Sequence, residues 1–219
     1  MHAQGRRGGQ NNRSGPSGPP LSRVRRIALT GGIATGKSRA RSLFEHLGVP
    51  TIDSDVLARE AVAPGTAGLA AVSERFGPDV LQPDGSLDRD NLAKIVFADP
   101  ESRRALESII HPYVRRRTDE WFARLDAARH PYAIADIPLL YEVERDQDFD
   151  AVIVVACDPD TQLRRLLERG MTASDARQRI AAQSPLDDKI ARADHVIRTN
   201  GGFEETDRQI QELHAILSR

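Results

Sequence analysis

Eight residues, Gly31-Gly32-Ile33-Ala34-Thr35-Gly36-Lys37-Ser38, follow the apolar stretch Ile27-Ala28-Leu29 and leave few folds open to the chain. They fit the Walker A pattern G-x-x-x-x-G-K-[ST] at the junction of an expected strand and an expected helix. Glycines let such a backbone curl until its N–H groups point inward and cradle phosphate oxygens. Lys37 is placed to reach the β- and γ-phosphates, and Ser38 offers a hydroxyl to Mg²⁺. The helix opening near Lys37 adds the positive end of its dipole. Gly32, Ile33, Ala34, Thr35, Gly36, Lys37, Ser38 and Arg39 are therefore the expected contacts of a nucleoside triphosphate. The bland alternative is a glycine turn with a chance lysine; a strand before, a helix after and every fixed position filled argue against it.

Composition sets the frame for that motif. The 219 residues are enough for one substantial core, or one core with small inserted lobes. With 39% hydrophobic and 29% charged residues the composition is that of an ordinary soluble domain, and no apolar run approaches the length of a membrane span. A single cysteine, Cys157, forbids an internal disulfide and suits a reducing, cytoplasmic setting. Its neighbours Val152-Ile153-Val154-Val155-Ala156 make it a buried small hydrophobe rather than a nucleophile. The histidines show no zinc-type spacing.

Charge is uneven along the chain. Residues 1–26 hold six arginines and no acid; without them 25 basic residues face 32 acids, a body of net charge −7. The first 22 residues, rich in Gly, Pro, Ser, Asn and Gln, read as a disordered basic tail or as a start codon assigned too early. Arg6-Arg7 lacks a following apolar segment, so a signal peptide is rejected. The tail also lacks interleaved aromatics, and no nucleic-acid partner is expected.

Past the tail, short apolar strands alternate with helical stretches. Strands are expected at 24–30, 49–53, 132–135, 151–156 and 195–197, and helices at 37–47, 159–169 and 203–218, with a short one from Ser184-Pro185. Residues 54–129 read as mostly helical, broken at Pro64-Gly65, Gly77-Pro78 and Pro83-Asp84-Gly85. Asp99-Pro100 and His111-Pro112 each place a proline in an expected first helical turn. The reading is an α/β fold of three layers around a parallel five-stranded sheet, the P-loop nucleoside-triphosphate hydrolase architecture. The helical stretch after the second strand is too long for a simple crossover and predicts an inserted lobe.

Three further features narrow the phosphate chemistry. No N/T-K-x-D guanine-reading motif occurs, which counts against a G protein. Ile52-Asp53-Ser54-Asp55 sets two carboxylates at the C-terminal end of the second strand, the edge where doubly wound sheets bind ligands. There a carboxylate accepts the proton of an attacking hydroxyl or helps hold a metal, and an Asp or Ser equally caps the next helix; the favoured division is Asp53 or Ser54 as cap and Asp55 facing the site. Finally, Arg164, Arg165, Arg169, Arg177 and Arg179 cluster around Gly170. They read either as a solvated helix face or as a phosphate-binding lid that closes to exclude water.

Six ordered segments then make the chain resemble the dephospho-CoA kinase family over residues 26–202. They are residues 29–38, Ile52-Asp53-Ser54-Asp55-Val56-Leu57-Ala58-Arg59, Ile109-Ile110-His111-Pro112, Asp136-Ile137-Pro138-Leu139-Leu140-Tyr141-Glu142, Arg179-Ile180-Ala181-Ala182-Gln183 and Asn200-Gly201-Gly202. The resemblance implies ATP-dependent phosphorylation of the ribose 3′-hydroxyl of dephospho-CoA, the final step of coenzyme A synthesis, with Mg²⁺ and no membrane partner. It implies a nucleotide core at 23–61, 113–162 and 192–219, a helical acceptor domain at 62–112 and a lid at 163–191. It places the general base on Asp55 and phosphate contacts on Lys37 and one of Arg164, Arg165 and Arg169, which the sequence does not rank. Asp53, Arg59, Pro138, Leu139 and Leu140 fall on the acceptor side, Pro138-Leu139-Leu140 alternatively being core alone. The Asn200-Gly201-Gly202 loop borders the adenine, with Asn200 its named contact, and Ser38 with Asp136 falls to the metal, Asp136 being equally readable as a cap on the Pro138 turn. His111 reads as a helix-start residue rather than a catalyst.

Two departures stand out. Ala34 replaces the family's usual glycine and is strained where the loop demands a positive φ, and Arg39 stands where a small Thr is common. Two rival readings share the Walker A motif: another small-molecule kinase, of nucleoside monophosphate or shikimate type, and a non-catalytic ATP-binding protein.

Overall fold

The chain is described from a computed structural model, which covers residues 23–219; the expected tail lies outside the described residues. The first strand, β1 (Arg25–Gly31), lies at the centre of a parallel sheet. It is flanked by β3 (Tyr132–Asp136) and β4 (Ala151–Ala156), with β2 (Thr51–Asp53) and β5 (His195–Arg198) on the outside, in the order β2-β3-β1-β4-β5. Register sets Leu29 and Asp53 each beside Asp136, so the C-terminal ends of three strands meet at one carboxylate.

β3 and β4 are buried along their whole length, as near-continuous apolar runs in a parallel sheet require. Ile27, Leu29, Tyr132, Ile134, Ile153 and Val155 cover one face. They pack against Ala40 and Phe44 of α1 (Lys37–His46) and Ile210, Leu213 and Leu217 of α9 (Phe203–Leu217). On the other face the smaller Ala28, Ala133, Ala135, Val152 and Val154 meet Phe122, Leu140 and Tyr141. That alternation gives the expected three layers.

The inserted lobe follows α2 (Ser54–Ala61). It consists of α3 (Ala67–Phe76), a 3₁₀ turn at Pro78–Val80, α4 (Arg89–Ala98) and the first half of α5 (Pro100–Arg124). Val62, Leu69, Val72, Val80, Leu87 and Leu92 give it a core of its own. The breaks at Pro64-Gly65, Gly77-Pro78 and Pro83-Asp84-Gly85 fall between these elements as expected, and Asp53, Thr66, Asp88 and Asp99 cap the helices with side-chain oxygens.

One expectation fails here. No helix begins at His111-Pro112; Pro112 lies inside the 25-residue α5. A mid-helix proline removes a hydrogen bond and costs about 3 kcal/mol. That cost is met by packing on both sides of it, with Leu106, Ile109 and Ile110 set into the lobe core and Phe122 into the sheet core. The expected boundary at 112/113 therefore falls in the middle of one continuous helix.

After β4 come α6 (Pro159–Glu168), α7 (Ala173–Ala181) and α8 (Leu186–Ala191). This hairpin region is tied to the segment after β3 through Glu142, whose Oε1 accepts from the Ser184 N–H at 3.0 Å and ion-pairs with Lys189 Nζ at 2.7 Å. The Lys189 side chain is 1% exposed. Burial pushes the Glu142 carboxyl up, but Lys189 and the Ser184 N–H outweigh it, and the group is held below the usual glutamate range. Replacing Lys189 by Met strands the carboxylate, which is expected to cost about 3 kcal/mol, or roughly 6–12 °C in Tm. Because the folded value is depressed, the pair contributes fully above the ordinary value of 4.5 and is lost as pH falls through the folded one. The Tm gap between wild type and Lys189→Met, read by thermal melts across pH, is therefore largest near neutrality and shrinks below about pH 4.5; a gap independent of pH would refute the assignment.

Candidate active site

At the end of β1 the chain turns where only glycine fits. A Cβ on Gly31 would lie 2.5 Å from the Val155 carbonyl oxygen, and Gly36, at φ 93°, occupies the left-handed region just before α1. Between them the loop is held from outside. Gln162 Nε2 donates to the Ile33 carbonyl at 2.8 Å, Arg165 Nη1 to that of Ala34 at 3.1 Å, and the Thr199 hydroxyl to that of Thr35 at 2.6 Å. The Ile33 N–H is taken by Gln183 Oε1 at 2.8 Å. Since each peptide is planar and trans, outward carbonyls turn the N–H groups of Ala34 and Gly36 away from these donors.

Ala34 has φ 59°, so the strain foreseen for it is present. A left-handed non-glycine residue costs about 1–2 kcal/mol. The residue is 8% exposed and packs with Leu166 of α6 and Ala176 of α7, and burying one methyl offsets about 0.8 kcal/mol of that.

A cavity of about 720 Å³ opens along this loop. Gly32 through Arg39 all line it, as do Arg164, Arg165 and Arg169. The three arginines are not equivalent. Arg165 is committed to the loop and to Thr199, whose carbonyl takes Nη2 at 2.6 Å, whereas Arg164 and Arg169 are exposed at the rim. Of the Asn200-Gly201-Gly202 loop, Gly201 and Gly202 line the cavity beside Thr199, while Asn200 does not, its Oδ1 accepting from the Asp158 N–H at 2.9 Å.

Beneath the loop lies a charge cluster built on one buried carboxylate. Lys37 Nζ ion-pairs with Asp136, whose side chain is 3% exposed. Arg41, one turn along α1 from Lys37, pairs with Asp53 and stands 3.3 Å from Asp136 Oδ2. Burial pushes the Asp136 carboxyl above its ordinary range; Asp53 adds to this, and Lys37 and Arg41 oppose it without prevailing. At Asp53 the balance reverses. Burial raises it, but Arg41 and the N–H groups of Asp55 and Val56 together hold it below the usual aspartate range. Asp53 is thus the cap of α2 and an ion-pair partner, and it lines neither cavity.

Asp55, the second residue of α2, is exposed and lines a second cavity of about 230 Å³. Leu106, Ile110 and Val114 of α5 and Leu139 give this cavity an apolar wall, with Ser54, His111 and Arg145 among its polar groups. Pro138 lines both cavities. Leu140 does not reach either; it is fully buried in the sheet core, so of Pro138-Leu139-Leu140 only the first two face the site. Arg59 is exposed and away from both cavities. His111 is not a helix-start residue but a mid-helix one facing the second cavity, where burial lowers its imidazole, Arg145 adding to the effect and Glu107 opposing it.

Sequence reasoning passed over Arg41, Gln162 and Thr199, and left Gln183, the end of the Arg179–Gln183 segment, without a role. Arg41 carried a readable signal, standing four residues after Lys37 and so on the same helix face. The other three act through contacts 34 to 164 residues apart, which no local pattern marks.

Among the described residues no group of three His, Cys, Asp or Glu side chains is placed to hold a metal, and no helix is long and apolar enough to cross a membrane. The family model described as dephospho-CoA kinase matches residues 25–205. The dephospho-CoA kinase of Anaeromyxobacter dehalogenans is 49% identical over 195 residues, covering 87% of this chain and 92% of the relative. Among solved structures, TT1252 from Thermus thermophilus aligns with TM-score 0.78 at 33% identity, over 90% of this chain and 99% of that one. A dephospho-CoA kinase from Campylobacter jejuni shares the fold at TM-score 0.68 and 24% identity, over 88% and 96%. With its phosphate loop, buried carboxylate and second cavity set on this sheet, the chain belongs to the dephospho-CoA kinase family.

Proposed function

We propose that the chain transfers the γ-phosphoryl group of ATP to the ribose 3′-hydroxyl of dephospho-CoA, giving CoA and ADP. The observation that carries this reading is the meeting of two cavities at Pro138, one lined by the phosphate loop and the other carrying Asp55. A donor in the first and an acceptor in the second come together at that wall. Phosphoryl transfer needs little covalent help from protein; positioning and charge stabilisation do most of the work.

In this reading the loop N–H groups and Lys37 hold the donor phosphates, and Asp55 takes the proton of the attacking hydroxyl. Arg165 positions the loop, which leaves Arg164 and Arg169 at the rim to meet charge on the transferring group. Mg²⁺ suits the residues present. It favours hard oxygen ligands and binds through one or two protein groups alongside phosphates and water; the Ser38 hydroxyl on the cavity wall would meet it directly, and Asp136, beneath the loop and paired with Lys37, would act on it only through water. When bound, the ion neutralises phosphate charge. The lobe around 62–112 then borders the acceptor, and 163–191 serves as the lid over the donor.

Incubated with Mg-ATP, the protein is expected to release ADP with dephospho-CoA and not with nucleoside monophosphates offered as competing acceptors. ADP formed with a different acceptor would keep a P-loop kinase and overturn the acceptor assignment. Asp55→Asn is expected to lower kcat by about 10²–10⁴ and, being an exposed change, to leave stability within about 0.5 kcal/mol; unchanged turnover would remove Asp55 as the base. Lys37→Ala is expected to lose roughly 10²–10³ in kcat and also to lower Tm, because Asp136 keeps only Arg41 as a cationic partner.

A further inference from the structure

Phe203 is the first residue of α9 and follows the Gly201-Gly202 turn. It is a large apolar side chain, yet 70% of it is exposed, and it lines the cavity of the phosphate loop. The Arg39 guanidinium lies over its ring, 4.1 Å from the centroid. Arg39 is itself fixed, since its Nη2 donates to both carboxylate oxygens of Asp207 at 2.7 and 2.9 Å. Phe203 and Asp207 stand four residues apart on one face of α9, so a single helix presents both the ring and the anchor of the arginine behind it. Arg39 immediately follows Ser38 and also lines the cavity.

Such an arrangement has a cost. An exposed phenyl ring forfeits the burial that ordinarily stabilises it, and the guanidinium over the ring keeps it beside the cavity rather than folded into the core. A flat π surface, backed by a fixed cation and placed beside phosphate-binding N–H groups, suits a flat heteroaromatic group on the same ligand.

We propose that Phe203, backed by Arg39, is the stacking platform for the base of the phosphoryl donor. The assignment rests on the reading of this cavity as the ATP site and extends it to the residue that recognises the base. Stacking on a phenyl ring tolerates any base but rewards a purine's larger π surface, so Phe203 contributes to preference for ATP over CTP and UTP while leaving hold of the triphosphate to the loop.

Calorimetric titration of wild type, Phe203→Ala and Phe203→Trp with Mg-ATP, Mg-CTP and inorganic tripolyphosphate tests this without requiring turnover. Phe203→Ala is expected to weaken ATP binding about tenfold, to narrow the gap between ATP and CTP, and to leave tripolyphosphate binding unchanged; Phe203→Trp is expected to restore ATP binding. ATP affinity unchanged in Phe203→Ala would overturn the platform. So would an equal loss of ATP and tripolyphosphate, which would mark a residue that merely shapes the loop. Wild type binding tripolyphosphate but showing no gain from the base overturns the platform while leaving the phosphate site standing, whereas wild type binding neither overturns the donor reading itself.

Discussion

The site is organised around a carboxylate that water barely reaches. Asp136 ends the strand beside β1 and faces the first helix, and its charge is affordable only because Lys37 and Arg41 enter from one face of that helix. Asp53 completes the group, so two acids and two bases share a small volume with no net charge. The arrangement fixes the first helix against three strand ends and gives the phosphate-loop lysine a defined resting partner. An anionic donor would draw on the same lysine. Competition between a buried carboxylate and a phosphate for one ammonium links occupancy of the loop to the electrostatics beneath it.

A second constraint acts from above. Three successive loop carbonyls are held by Gln162, Arg165 and Thr199, which come from distant parts of the chain. The loop is shaped before any ligand arrives, and the entropy of ordering it is met in folding rather than in binding. Ala34 belongs to this picture, since its methyl fills space against α6 and α7 that a glycine would leave open.

Much of this was legible in the sequence, and what was not has identifiable causes. Strand ends, helix caps and the phosphate loop are local, set by spacing and by residues such as Asp158-Pro159 and Gly36-Lys37 whose preferences act over a few positions. Of the residues lining the second cavity, Asp55 was legible from its place at a strand's C-terminal end, whereas Pro138 and Leu139 were marked only by a family pattern. Leu140 and Asn200 were misplaced for one shared reason: a segment can be correctly located while which side chain turns inward depends on packing. Pro112 misled because local propensity pointed to a helix start and tertiary burial on both sides overrode it. Arg39 stood out in the sequence as a departure from the family and Phe203 not at all; they lie 164 residues apart, and only the packing of α1 on α9 made them one feature.

The unbroken course of α5 has a mechanical meaning. A helix of 25 residues is a rod of about 37 Å, with one end embedded in the lobe and the other in the sheet core. Lobe and core therefore share a beam instead of being joined by a linker, and force applied to the lobe reaches the core along it. The beam has one soft point, at Pro112, where a backbone bond is missing. That point lies beside His111, on the wall of the second cavity. Flexing there would alter the bore of that cavity, and a ligand filling it would stiffen the beam at the place where it yields most readily.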